Sequence, residues 1–154
     1  MWTVPDPSRT LGAMTPIALT IAGSDPSGGA GLQADLKTFH AHDVYGASVV
    51  SLVTVQNTCR VARVSLLEPA LVAEQLDAVL DDLDVRALKT GALGGVEILR
   101  ALAPRLARFR GPRVLDPVMI SKHGAPLMDE DAVATFRDVY VPLATLLTPN
   151  APEA

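Results

Sequence analysis

The sequence predicts an α/β fold, in which helices cover both faces of a mainly parallel sheet. Strand-like and helix-like segments follow one another in the order β-α-β-β-α-β-α-β-α-β, and helical crossovers join most of the strands. The segment 45–55 is a nearly continuous apolar run, which is typical of parallel strands buried on both faces. A glycine-rich turn joins the first strand directly to the first helix, within residues 17–35.

The first half of the chain gives clear signals for each element. Apolar and β-branched residues run from Ile17 into the glycine loop, and apolar residues then recur at helical spacing over residues 32–42. Residues 45–55 are rich in β-branched side chains, which predicts a strand buried on both faces. Residues 61–67 follow after a short polar loop instead of a helix, so we expect them to pair antiparallel and to form a flap near the site.

The second half continues the alternation. A helix is expected to begin at Glu68, because the proline that follows is tolerated at the first helical position. Acidic residues at the start of the segment 129–140 favour a helix there, since they complement the helix dipole. The remaining elements are predicted as strands at residues 85–89, 113–115 and 144–147, and as a helix that points Ile98, Leu99, Leu102 and Leu106 inward.

The composition indicates one globular domain with enough apolar residues for a buried core. The 154 residues are 49% hydrophobic and carry a net charge of −4 without a run of lysine or arginine. This balance argues against nucleic acid or an anionic membrane surface as a partner. The single cysteine, Cys59, excludes an intramolecular disulfide and suits a reducing compartment. With no apolar run long enough for a membrane span and no signal-peptide pattern, we expect a cytoplasmic protein.

The two ends of the sequence give different structural signals from its middle. Residues 1–15 contain prolines and no periodicity, so we expect a flexible tail, and Met14 is a candidate start. Residues 16–154 form the predicted domain. Asn150 has the features of a helix N-cap, with Glu153 in the turn behind it. Because the sequence stops where that helix should begin, we expect the chain to be part of a longer domain, truncated at its C-terminal side.

The glycine loop predicts a ligand site at the start of the first helix. Several glycines allow positive φ angles and a close approach of the backbone, and the helix start offers free N–H groups to a polar or anionic group. The loop lacks the lysine of a P-loop. It fits a dinucleotide fingerprint, but Gln56 and Asn57 stand where the acid for the ribose is required. A merely tight strand-to-helix connection stays open as an alternative.

Polar residues at the ends of the predicted strands are the candidates for chemistry. Ligands of open α/β sheets bind beyond the carboxyl ends of the strands, which is where Gln56 and Asp116 lie. A side-chain amide such as that of Gln56 both donates and accepts, as a neutral heterocycle requires. Asp35 is a further candidate, although an acid near the start of a helix also complements the dipole. The acidic residues between 77 and 84 are more simply a solvated helix face than a metal site.

Five blocks in constant order carry a family resemblance. They are GSDPSGGAGLQADLKTF at 23–39, VQNT at 55–58, KTG at 89–91, DPVM at 116–119, and LTPN at 147–150 together with Glu153. In these blocks the chain resembles the hydroxymethylpyrimidine/phosphomethylpyrimidine kinases of thiamine biosynthesis, which belong to the ribokinase-like superfamily. The resemblance extends from Ile17 to the end of the sequence.

The resemblance implies a ribokinase-like fold and a phosphoryl transfer that depends on ATP and Mg²⁺. The phosphate would go first to the hydroxymethyl group of the pyrimidine and then to its monophosphate. The family pattern assigns roles to eight positions. Ala30, Asp35, Thr54, Gln56 and Val118 would line the pyrimidine pocket, Asn150 would face the phosphates and nucleotide, and Asp116 and Glu153 would face the metal. Apart from the family pattern, Lys122 in the loop of residues 120–124 is a candidate to neutralise phosphate, with an ordinary exposed lysine as the alternative.

Two departures from the family pattern limit the expected activity. The position after KTG is usually a methionine that packs on the pyrimidine, and here it is Ala92. The glycine-rich anion hole and the catalytic residue beside it belong to the family's C-terminal part, so we expect no catalytic residue in this chain and no turnover by the chain alone. Pyridoxal kinase and a non-catalytic pyrimidine-binding module stay open as alternatives. An uncovered strand edge also predicts self-association, for example as a homodimer.

Overall fold

A computed structural model describes residues 15–119 and 128–153 of the chain. Strands and helices alternate in it as the sequence predicts. The strands are β1 (Ile17–Ser24), β2 (Tyr45–Gln56), β3 (Val61–Leu66), β4 (Val85–Thr90), β5 (Arg113–Leu115) and β6 (Leu146–Leu147). The α-helices are α1 (Gly31–Ala41), α2 (Pro69–Asp82), α3 (Val96–Arg108) and α4 (Glu130–Thr135). The predicted tail lies outside the described residues up to position 14, and the loop with Lys122 lies outside them as well.

The six strands form one sheet in the order β3-β2-β1-β4-β5-β6. All neighbours are parallel except β2 and β3, which pair antiparallel with Leu52 opposite Leu66. The predicted mainly parallel sheet and its antiparallel excursion are therefore confirmed. From β1 the chain continues to β2 on one side, and from β4 it continues to β5 on the other side. The topological switch point therefore lies between the carboxyl ends of β1 and β4. Ligands of open α/β sheets bind in such a crevice.

The helices lie on both faces of the sheet. Crossovers between parallel strands are right-handed. The crossover from β1 through α1 to β2 runs across the sheet in one direction, and the crossovers through α2 and α3 run across it in the other direction. It follows that α1 covers one face and that α2 and α3, which pack on each other, cover the other. The core on the α2 and α3 face is mainly apolar, with Leu19, Ile21, Val49, Leu88 and Leu115 from the strands.

The end of β2 departs from the expectation of a strand buried on both faces. Val53 is 44% exposed and Val55 is 52% exposed. The reason is the length of the strand: the last pair between β1 and β2 joins Ser24 to Val53, so beyond this point β2 pairs with β3 alone. The strand therefore projects past its neighbour and carries Gln56 away from the centre of the sheet.

The helix predicted over residues 129–140 is wrong in its second half. Asp129 caps α4 through a hydrogen bond from the Ala132 N–H (2.8 Å), as the acidic start indicates. From Phe136–Tyr140 the backbone widens into a π-helical turn and then continues as a short 3₁₀ turn, Val141–Leu143. Pro142 has no N–H for the helical ladder. Tyr140 is fixed in the core, because its hydroxyl donates to the Leu99 carbonyl (2.8 Å).

No helix in the described ranges 15–119 and 128–153 has the length and apolar character needed to cross a bilayer.

Candidate functional site

The glycine loop between β1 and α1 folds around the side chain of Asp25. Its carboxylate is buried and accepts hydrogen bonds from the Ser27 N–H (2.8 Å), the Ser27 hydroxyl (2.7 Å), the Gly29 N–H (3.1 Å) and the Ala30 N–H (2.9 Å). Burial alone would raise the pKa of Asp25, but these hydrogen bonds lower it below its ordinary value. The chain's own carboxylate thus occupies N–H groups of the glycine loop itself, ahead of the first residue of α1.

Gln33 ties this loop to the first turns of α1. Its amide oxygen accepts from the Asp25 N–H (2.9 Å), and its amide nitrogen donates to the Ser24 hydroxyl (2.7 Å). On the neighbouring strand, the Thr54 hydroxyl lies 3.0 Å from the Ser24 carbonyl oxygen and 3.2 Å from the Gln56 amide oxygen. A continuous set of polar contacts therefore links the glycine loop to the projecting end of β2.

Asp35 points from α1 toward the sheet and meets Lys89 of β4. The Lys89 ammonium lies 3.0 Å from Asp35 Oδ1 and 2.9 Å from Oδ2, and the Thr20 hydroxyl of β1 donates to Oδ2 (2.6 Å). Both side chains of the ion pair are largely shielded, with 23% of Lys89 and 17% of Asp35 exposed. The pair lies at the crevice between β1 and β4, which is the switch point of the sheet.

Asp116 follows β5 at the same edge and extends the cluster. Its Oδ2 lies 3.9 Å from the Lys89 ammonium. Burial raises the pKa of Asp116 above its ordinary value; Lys89 opposes that shift, while repulsion from Glu153 and Asp35 adds to it. The cluster therefore places a shared lysine between Asp35 and Asp116, with Glu153 nearby.

Asn150 and Glu153 hydrogen-bond to each other as a capping box does. The Glu153 N–H donates to Asn150 Oδ1 (3.2 Å), and the Asn150 N–H donates to Glu153 Oε2 (3.1 Å). The other carboxylate oxygen, Oε1, accepts from the Met119 N–H (3.3 Å). This geometry fits the predicted N-cap, and it also holds the last turn against the loop after β5.

The arrangement of the carboxylates indicates which of them could bind Mg²⁺. In the described part of the chain, no group of three or more histidine, cysteine or acidic side chains converges as a metal cage would. Mg²⁺ is usually held by one or two carboxylates together with waters and phosphates. Asp116 fits such a position, since its hydrogen-bonding capacity is not used by backbone N–H groups in the described residues. Glu153 fits less well, because both of its oxygens already accept from the backbone.

The predicted site residues fall into two groups. The switch-point group is held together through Lys89 and the last turn and contains Asp35, Asp116, Glu153 and Asn150. The β2 group contains Thr54 and Gln56 and is linked to the glycine loop, where Ala30 is the exposed N-cap of α1. Val118 is half-buried beside Asp116, and Lys122 lies outside the described residues. Across the described residues, no hydrogen bond joins Asp35 to Gln56.

Sequence reasoning missed two residues of this site. Lys89 was noted only as part of the KTG block, and Asp25 only as part of the glycine loop. Lys89 is the fifth of the six residues of β4, and a charged residue on a strand inside a parallel sheet is a usable signal, because such a position is shielded and requires a partner. For Asp25 the signal is an aspartate followed by proline, serine and glycine, a typical turn sequence.

Two cavities occur away from this cluster. One of about 270 Å³ lies between β3, α2 and α3 and is lined by residues such as Leu66, Pro69 and Val96. The other, of about 430 Å³, lies at the opposite edge of the sheet beside the ion pair of Asp77 and Arg105. Neither is lined by a predicted site residue.

Comparisons with known proteins agree on one family. The phosphomethylpyrimidine kinase family model matches residues 25–154. The hydroxymethylpyrimidine/phosphomethylpyrimidine kinase of Synechococcus elongatus is 56% identical over 139 residues, which cover 90% of this chain and 53% of that protein. The Escherichia coli protein of the same name is 51% identical over 138 residues, 89% of this chain and 52% of that protein.

Solved structures agree with the fold. The crystal structure of a Clostridium difficile phosphomethylpyrimidine kinase matches with a TM-score of 0.84 and 44% identity, over 90% of this chain and 61% of that one. A Staphylococcus aureus pyridoxal kinase in complex with AMP-PCP and pyridoxal matches with a TM-score of 0.79 and 33% identity, over 92% and 50%. The fold is thus that of the ribokinase-like kinases. The chain spans about half the length of the curated relatives it matches, and on this agreement of motifs, fold and relatives it belongs to the phosphomethylpyrimidine kinase family.

Proposed function

We propose that this chain forms the substrate-binding part of a kinase that phosphorylates 4-amino-5-hydroxymethyl-2-methylpyrimidine and then its monophosphate, with ATP as donor. The observation that carries the proposal is the cluster of Asp35, Lys89 and Asp116 at the switch point of the sheet. It provides an acceptor for a polar ring and, beside it, a carboxylate suited to the phosphate and metal side.

The ring is proposed to bind between the glycine loop and the end of β2. Asp35 and Gln56 would read its polar edge, since a carboxylate accepts from an amino group and an amide both donates and accepts. Ala30, Thr54 and Val118 would supply the walls. Ala92 leaves room where relatives with a larger side chain would pack on the ring.

The phosphate side is proposed to lie at the end of β5 and β6. Asp116 would hold Mg²⁺ directly or through water, and Glu153 and Asn150 would support it from the last turn. Lys122 would neutralise phosphate charge. When bound, Mg²⁺ and ATP supply the phosphoryl group and offset its charge, while the protein mainly positions the partners.

Calorimetric titration of the 154-residue chain tests this assignment. We expect binding of the aminopyrimidine alcohol, weaker binding of pyridoxal, and a reduced but measurable affinity for the pyrimidine in Gln56→Leu and Asp35→Asn. Glu74→Gln, at an exposed position of α2 away from the site, serves as a control and is expected to bind normally. Preferential binding of pyridoxal would favour the pyridoxal kinase alternative, and failure to bind either ring would contradict the proposal.

A phosphate-transfer assay with Mg-ATP separates binding from catalysis. We expect the chain alone to bind the pyrimidine without phosphorylating it, because the family's catalytic region is not among these residues. Turnover close to that of a full-length relative would overturn this part of the proposal. Binding of the pyrimidine together with indifference to ATP would favour a binding module.

A further inference from the structure

Lys89 occupies a position where a lysine is costly. It lies on β4, between β1 and β5, and only 23% of its side chain is exposed. A buried ammonium is tolerated when it is paired and hydrogen-bonded. Its neighbours on the same strand, Leu88 and Thr90, are fully or almost fully buried. A lysine at this position therefore depends on its partners for stabilisation.

The principal partner is Asp35, whose carboxylate is held at both oxygens. Lys89 reaches Oδ1 and Oδ2, and the Thr20 hydroxyl donates to Oδ2. Lys89 lies on β4 and Thr20 on β1, so two strands hold the carboxylate that α1 carries. A carboxylate held in this way keeps one acceptor site free of these contacts, on Oδ1, and presents it in a fixed direction.

The second partner is Asp116, which limits where Lys89 can move. With Oδ2 of Asp116 at 3.9 Å, the ammonium lies between two carboxylates and is attracted by both. In the described residues, the ion pairs of Asp35 and of Asp116 are both with Lys89. Removal of Lys89 would leave two shielded carboxylates facing each other without a cation, and Asp35 would lose the contact that sets its orientation.

We propose that Lys89 is a positioning residue for substrate selection: it orients the Asp35 carboxylate so that the ligand's exocyclic amino group, and not the ring alone, is recognised. This inference rests on the function proposed above and extends it to a residue outside the expected pocket. It predicts that Lys89 affects affinity only for ligands that carry the amino group. A residue that merely stabilised the fold would affect every ligand equally.

The test compares two ligands by calorimetry on the 154-residue chain: 4-amino-5-hydroxymethyl-2-methylpyrimidine and the same ring without its 4-amino group. The wild-type chain is expected to prefer the amino compound. Lys89→Met keeps most of the stem but not the charge, and is expected to lose roughly tenfold to hundredfold in affinity for the amino compound, the range of one hydrogen bond to a charged group. Its affinity for the compound without the amino group should not change.

A matched control is available on the same strand. Arg86 is also paired with an aspartate, Asp84, but it lies toward the other end of β4 and is 68% exposed. Arg86→Met removes the same charge and should leave both affinities unchanged. Lys89→Arg, which retains the charge, is expected to restore part of the preference. Circular dichroism checks folding, and Lys89→Gln gives the same readout if the methionine variant does not fold.

A double-mutant cycle completes the test. Residues that act through one another are not additive, so Lys89→Met combined with Asp35→Asn should lose no more affinity for the amino compound than Asp35→Asn alone. Additive losses, an unchanged preference in Lys89→Met, or equal losses for both ligands would each overturn the inference while leaving the proposed function intact. A wild-type chain that binds neither ring would overturn both.

Discussion

Gly31 lies directly against Gly23, so that a Cβ on Gly31 would overlap the carbonyl oxygen of Gly23. Gly31 also has a φ of 56°, a left-handed conformation that costs other residues about 1–2 kcal/mol. We therefore expect Gly31→Ala to lower the free energy of unfolding by about 2 kcal/mol or more, because strain and overlap add. Urea denaturation followed by circular dichroism measures this change.

Gly29 provides the control for that substitution, two residues earlier in the same loop. A Cβ on Gly29 would meet no atom closer than Asp25 Oδ2 at 3.9 Å, and the φ of Gly29 is not in the left-handed region. Gly29→Ala should be neutral or stabilising by about 0.4–1 kcal/mol, through the unfolded state. Equal destabilisation by both substitutions would show that the close approach of Gly31 is not the cause.

Asp25 is expected to be the main structural anchor of the glycine loop. Its buried carboxylate accepts four hydrogen bonds from Ser27, Gly29 and Ala30. Asp25→Asn leaves one acceptor oxygen and brings an amide that cannot accept, so we expect a loss of about 1–3 kcal/mol in unfolding free energy. Asp84→Asn, which removes an exposed ion pair with Arg86, should cost less than about 0.5 kcal/mol.

The pH dependence of the Asp25 effect has a definite sign. Its folded pKa is lowered below the ordinary value of 3.8, so the unfolded state binds more protons as the solution is acidified. The stabilisation is fully present above the unfolded pKa and is lost as the pH falls through the folded pKa. The difference between wild type and Asp25→Asn should therefore shrink in acid below the unfolded value. A difference that stays constant down to strongly acidic pH would contradict this.

Asp116 should behave in the opposite way. Its folded pKa is raised above 3.8, mainly by burial, so the folded state binds more protons than the unfolded state between the two values. Ionised Asp116 therefore destabilises the fold at neutral pH, and this penalty disappears as the pH falls below the unfolded pKa. We expect Asp116→Asn to be more stable than wild type at neutral pH. Urea denaturation at neutral and at acidic pH should show the two proteins converging in acid.

Much of the fold could be predicted from local signals. Apolar runs fixed the position of the strands, and the short polar loop before β3 correctly indicated antiparallel pairing. Helix periodicity failed at Phe136–Tyr140, where apolar spacing continues although the backbone widens. The signal for this change is Pro142, which lies after the turn and not within it. The exposure of Val53 and Val55 was missed because it depends on where the neighbouring strand ends.

The site was predictable only one element at a time. Strand-end positions indicated Gln56 and Asp116, and the resemblance added Asp35. What joins Asp35 to Asp116 is Lys89, which is 54 residues from Asp35 in sequence, and no local pattern reports a contact at that distance. Likewise, the glycines of the loop predict a site for an anionic ligand. The sequence does not show that the Asp25 side chain turns inward and accepts hydrogen bonds from the loop N–H groups.

Self-association is expected at the β6 edge of the sheet. Within the described residues β6 pairs with β5 alone, and Leu146 on it is 55% exposed. Open strand edges with apolar side chains pair with other chains, and a lysine at such an edge opposes this. Leu146→Lys should therefore reduce the concentration-dependent rise in sedimentation coefficient expected for the wild-type chain.

Val141 provides the control for this substitution, because a lysine placed there lies outside the sheet. It is 38% exposed and lies in the 3₁₀ turn Val141–Leu143, so Val141→Lys adds an equal charge and removes a similar apolar surface without touching a strand edge. Its sedimentation should match wild type. A wild-type chain that sediments as a monomer at every concentration would contradict the prediction. If both lysine variants dissociate alike, net charge and not the β6 edge governs association, because both substitutions add one positive charge and only Leu146 lies on the edge strand.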